Sequence, residues 1–88
     1  MNTLNAARIE TMRTKLIKTL NPSKLTIQDD SHLHAGHAGA KSGKGHFTVH
    51  IQSTALQGLS TLQQHRHVYK ALGEMMEQDI HALIIKIH

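Results

Sequence analysis

No cysteine occurs anywhere in the chain, which excludes a disulfide framework, a thiol nucleophile and any metal centre built from the chain's own thiolates. Aromatic side chains are nearly as scarce. With one Phe, one Tyr and no Trp, the platforms on which single-stranded bases usually stack are missing. Only six carboxylates stand against ten lysines and arginines, and no acid–base pair for catalysis is visible among them. No phosphate-binding loop signature accompanies them, and the function class expected is non-enzymatic. The longest apolar stretch, Ala82 to Ile85, falls far short of the roughly 20 residues of a membrane span. The N-terminal segment interleaves Arg8, Glu10 and Arg13 where a signal peptide would carry an apolar run, so the expectation is a cytoplasmic protein with no membrane partner.

What the chain does have is histidine. Nine of its 88 residues are His, and the formal charge of +4 leaves all of them out, so the protein becomes more basic as imidazoles gain protons. That balance is compatible with an anionic partner, yet the basic residues are scattered and never form the run of a nucleic-acid arm. A chain of this length buries only about 60% of its unfolded surface, which predicts a single small domain over 1–88; the isolated chain is expected to be a monomer.

Residues 3 to 20 place Leu4, Ile9, Met12, Leu16 and Leu20 at helical spacing among Arg8, Arg13, Lys15 and Lys18, and Asn21-Pro22 stops the helix. Lys24 to Gln28 alternates with Leu25 and Ile27 on one side, predicting a short strand broken by Asp29-Asp30-Ser31. His46 to Gln52 alternates again, with Phe47, Val49 and Ile51 inward. Ser60 followed by Gln63 is a capping box, after which Leu59, Leu62, Val68, Tyr69, Leu72 and Met76 continue a helical stripe to about Gln78, with Gly73 as an end or kink. Ile80 to Ile87 is apolar on both parities, the pattern of a strand with neighbours on both sides. The resulting order, α-β-β-α-(α)-β, predicts an α+β fold with a three-stranded sheet, helices on one face and a more open second face.

Between the first two strands runs "HLHAGHAGAKSGKGH", His32 to His46, with four histidines and four glycines. Residues 31–45 read as a flexible His/Gly-rich loop. Its "GHAG", Gly36 to Gly39, matches the GXXG clamp of KH nucleic-acid-binding domains letter for letter, but that clamp belongs between two helices and this one lies between strands.

Several motifs in order, "IETMRTKLIKTLNP" (Ile9 to Pro22), "DDSHLH" (Asp29 to His34), "HFTV" (His46 to Val49), "HRHVY" (His65 to Tyr69) and "IHAL" (Ile80 to Leu83), make the chain resemble the BolA family over most of its length. The resemblance implies a fold like the class II arrangement of the KH domain. It also implies a partner: BolA-like proteins pair with monothiol glutaredoxins and share a [2Fe-2S] cluster, the glutaredoxin supplying thiolates from its cysteine and from glutathione. Carried over to this sequence, the first ligand is His81 of the "HAL" motif, and the second comes from the loop, with His34 best matched and His37 next. The isolated chain is then expected to hold no cofactor. Two imidazoles replacing two thiolates on one iron is chemistry known from Rieske centres, and it suits a chain without cysteine.

Each assignment has a plainer rival. From the residues alone His81 shares strand parity with Leu83 and Ile85, as a semi-buried histidine would, and a glycine-flanked loop histidine is more often solvated than ligating. His46 begins a strand and reads as structural, while His50, His67 and His88 read as solvated. His65, Arg66, Lys70, Lys41 and Lys44 are the candidates for partner or nucleic-acid contact, and a DNA-binding transcriptional regulator is the second functional reading, since some family members are so regarded. An independent zinc or copper site of His32, His34 and His37 is the third.

Overall fold

The structure, a computed structural model, describes residues 3–31 and 43–88. Helix α1 spans Thr3–Leu20, strand β1 Lys24–Asp29 and strand β2 Gly45–Gln52; a 3-10 turn at Thr54–Leu56 leads to helix α2, Thr61–Leu72, a short helix α3, Met75–Gln78, and strand β3, Ile80–Ile87. The α+β order read from the sequence is the order found.

Local chemistry accounts for the ends of these elements. Asn21 takes a left-handed conformation (φ 44°) and its amide donates to the Ile17 carbonyl at 3.0 Å, closing α1 before Pro22. The buried Ser53 hydroxyl donates to the Leu20 carbonyl, tying that helix end to the exit of β2. At α2 the capping box is complete: the Gln63 amide donates to Ser60 Oγ and the Ser60 amide donates to Gln63 Oε1. Gly73, with φ 58°, ends α2.

The sheet order is β1-β2-β3, with β1 antiparallel and β3 parallel to the central β2. Strand β3 is therefore an edge, not a strand flanked on both sides as its doubled apolar parity suggested. The parallel pair needs a crossover, and α2 and α3 supply it. One face of the sheet, through Ile27, Phe47, Val49 and Ile51, packs against Ile9, Met12, Leu16 and Leu20 of α1 and Val68 and Leu72 of α2, with Leu56, Met75 and Ile80 completing the core.

Three expected core positions are not in it. Leu62 is 60% exposed and Tyr69 40% exposed, because the stripe that α2 turns inward runs through Val68, Leu72 and, one turn on, Met75, leaving Leu62, Arg66 and Tyr69 on a neighbouring face. Leu4, at the start of α1, is also exposed. The second face of the sheet is covered at one end, where His46 and Thr48 are buried. Among the described residues no helix is long and apolar enough to cross a membrane.

Candidate functional site

His81 lies at the start of edge strand β3, where the parallel ladder with β2 is irregular: Gly45 faces Ile80, but His46 faces Ala82. One extra residue on β3 interrupts its alternation there. Beyond the bulge, Leu83, Ile85 and Ile87 face Phe47, Val49 and Ile51 and pack on the core, while before it Ile80 is buried in the core. His81 is thereby taken out of the inward parity with Leu83 and Ile85 and is exposed. Its ring centroid stands 5.0 Å from that of His46, which is buried on the face opposite the core. The bulge thus creates a pair of imidazoles, one buried and one open to solvent.

A polar network holds this end of the sheet. Arg8, on the inward side of α1, donates through Nε to Asp79 Oδ1 (3.1 Å) and through Nη1 to Asn5 Oδ1 (2.9 Å) and the Gly43 carbonyl (2.8 Å). Asn5 Nδ2 in turn donates to Asp29 Oδ2 and Ser31 Oγ, the Ser31 amide donates to Asp29 Oδ1, and the His46 amide donates to Ser31 Oγ. The Gly45 amide donates to the Asp79 carbonyl at 2.9 Å. One guanidinium therefore fixes Gly43, two residues before β2, and Asp79, two residues before His81. The segment 43–45 also requires glycine at its end, since a Cβ on Gly45 would run into the Phe47 ring and stand 3.0 Å from Asn5 Oδ1.

The side chain of Arg8 is only 10% exposed and that of Asp79 31%, so replacing Arg8 leaves polar groups poorly solvated. Arg8→Met should cost about 2–3 kcal/mol of stability, the range for stranding a partly buried charged partner, as read by urea unfolding, and should speed amide exchange at Gly45. A cost below about 0.5 kcal/mol would contradict a structural role for the network.

The other sequence-derived candidates divide. Arg66 and Lys70 lie together on the outer side of α2, where they and Gln63 and His67 line a shallow depression of about 170 Å³; His65 is half-buried and meets the Tyr69 ring edge-on at 6.4 Å. Lys44 is half-buried on the approach to β2. His32, His34, His37 and Lys41, with the loop zinc or copper site, lie outside the described residues. Sequence reasoning passed over Asn5, Arg8, Ser31 and Asp79. Their signal was Asn5 and Arg8 one turn apart on the helical stripe that continues to Met12, Leu16 and Leu20.

Residues 16–88 match the family described as BolA-like protein. The chain is 43% identical over 81 residues to the chloroplastic protein BOLA1 of Arabidopsis thaliana, covering 89% of this chain and 51% of that one. It is 33% identical over 73 residues to the DNA-binding transcriptional regulator BolA of Haemophilus influenzae, covering 83% of this chain and 68% of that one. Among solved structures, the BolA domain of SufE1 from Arabidopsis thaliana superposes with a TM-score of 0.80 at 36% identity, covering 99% of this chain and 92% of that one. The chain spans about half the length of several curated relatives it matches. With this match, and with the small α+β fold shared with solved BolA structures, the chain belongs to the BolA-like family.

Proposed function

We propose that this chain is a non-enzymatic partner protein that pairs with a monothiol glutaredoxin and shares a [2Fe-2S] cluster with it, in cluster trafficking or iron sensing. The observation that carries the reading is His81, an exposed imidazole displaced from strand alternation by a bulge and set against a second histidine, in a chain with no thiolate of its own.

The donor chemistry fits such a group. Among the described residues no group of three or more His, Asp or Glu gathers to hold a metal, so a cluster at His81 takes its other ligands from elsewhere. Those are a loop histidine, His34 first and His37 next, and the partner's cysteine and glutathione thiolates. The cluster supplies a one-electron redox centre, and imidazoles in place of thiolates raise its potential. This chain's own part is positional. Arg8 and Asp79 hold the start of β3, and the ring of His46 backs that of His81, so the ligand is presented without a large rearrangement.

The test is a visible-range circular dichroism titration of a cluster-loaded monothiol glutaredoxin with this protein. A new spectrum saturating at one-to-one is expected. An unchanged spectrum with a folded chain would overturn the shared cluster.

A second reading, a nucleic-acid-binding regulator, draws on the outer face of α2, where Arg66, His67 and Lys70 are all exposed, and on the description of the Haemophilus influenzae relative as a DNA-binding transcriptional regulator. Contacts from these side chains to phosphates would give affinity with a steep salt slope and little base preference.

A further inference from the structure

At the other end of the same sheet face, away from His81, two histidines that the sequence suggests are merely solvated come together. His50 lies on β2, and His88 follows β3, its amide bonded to the Ile51 carbonyl at 2.9 Å so that it continues the ladder. Their ring centroids are 5.4 Å apart with 20° between planes, and His50 Nδ1 stands 3.2 Å from His88 Nε2, so the rings meet edge to edge. On the far side of the His50 ring, Nε2 stands 3.3 Å from Gln28 Oε1. The pair borders an open cleft of about 420 Å³, also lined by Lys24, Thr26 and Gln52.

We propose that His50 and His88 form a second metal site, for a borderline divalent ion such as Zn²⁺, with Gln28 as its positioning residue. An amide oxygen only accepts, so Gln28 Oε1 fixes the hydrogen of His50 on Nε2 and leaves the Nδ1 lone pair facing His88. Two ring nitrogens at 3.2 Å leave room for one proton between them; with His50 protonated on Nε2 that proton belongs to His88 Nε2, and a metal ion bound by both rings takes its place as His88 shifts its hydrogen to Nδ1. Zn–N bonds of about 2.0–2.1 Å spanning that N···N separation subtend roughly 100° at the metal, close to tetrahedral. A ligating histidine whose second nitrogen is held by a carbonyl oxygen is the outer-shell arrangement that orients metal ligands. Among the described residues no Asp or Glu side chain lines the cleft. Its charged neighbours are Lys24 and, opposite His50 in the ladder, Lys86, both exposed and screened by water. The cleft leaves the remaining coordination positions to water or to an anion.

This site is separate from His81. Four residues along β2, at about 3.3 Å each, divide His50 from His46.

The test is a Zn²⁺ titration of the full chain followed by imidazole nitrogen NMR, with His50→Gln, His88→Gln and Gln28→Leu variants. At substoichiometric Zn²⁺ the His50 Nδ1 and His88 Nε2 signals should shift together. Each histidine variant should abolish that joint shift, and Gln28→Leu should weaken it by about tenfold or more while leaving the thermal unfolding midpoint unchanged. Zn²⁺ occupying other histidines while these two signals stay in place would overturn the proposal. So would a Gln28→Leu variant that binds as tightly as the parent, for the positioning role. Since both histidines are at least partly exposed, loss of the fold is not expected to obscure either result.

Discussion

His81→Ala should abolish the spectral change that this protein produces on a cluster-loaded glutaredoxin, while shifting its own stability by less than about 1 kcal/mol, as substitutions at exposed sites usually do. The two halves of that expectation have one structural origin. His81 is exposed at the bulge of an edge strand, and the neighbours that hold this end of the fold, Ile80 in the core and Asp79 bonded to Arg8, are untouched by truncating it. Alanine keeps the strand backbone and removes only the imidazole. A variant that unfolded would show His81 to be a packing residue. One that stayed folded and still gave the parent spectrum would show that the ligand lies elsewhere.

Gly45→Ala has the opposite profile, a large stability loss from one added methyl group. That methyl would enter the volume of the Phe47 ring, which is 1% exposed and enclosed by core side chains, and it would also press on Asn5 Oδ1. Neither neighbour can yield cheaply, since moving Phe47 disturbs the core and moving Asn5 disturbs the network that holds Gly43 and Ser31. Forcing an extra carbon into such a place costs about 3 kcal/mol, which for a domain of this size is a fall of roughly 15 °C in the unfolding midpoint. The source of the loss is separable. If it is the ring, Gly45→Ala combined with Phe47→Leu should be less destabilised than the sum of the two single variants, a coupling of about 1 kcal/mol or more. Additive losses would place the strain elsewhere, and a loss under about 0.5 kcal/mol would contradict the close approach itself.

Much of the architecture was legible because its signals are local. The stripe from Ile9 to Leu20 followed by Asn21-Pro22, the alternation of Phe47, Val49 and Ile51, and the Ser60–Gln63 box each place an element within a few residues. What was not legible depends on pairing between distant segments. A bulge is an offset between two strands, so counting parity along β3 alone put His81 with Leu83, and only the register with β2 separates them. Gly45 at the mouth of β2 was the available hint, because a glycine opening a strand often marks a bulge or a close backbone approach. Leu62 and Tyr69 were misplaced for a related reason: α2 carries apolar side chains on two adjacent stripes, and which one turns inward is decided by α1 and the sheet. Arg8 belongs to the same class, a charged residue on the buried stripe whose partner Asp79 is 71 positions away. His50 and His88 are neighbours only through the parallel ladder.

Direct bonding of an imidazole of this chain to the iron of a cluster completed by a partner is the feature on which the proposed function stands. Its most direct test labels the chain's histidines with nitrogen-15, leaves the glutaredoxin unlabelled, and records pulsed electron paramagnetic resonance on the reduced complex. A strong nitrogen-15 hyperfine coupling is expected, and with His81→Ala it should be lost together with the shared cluster. A cluster signal without that coupling in the labelled complex would contradict it.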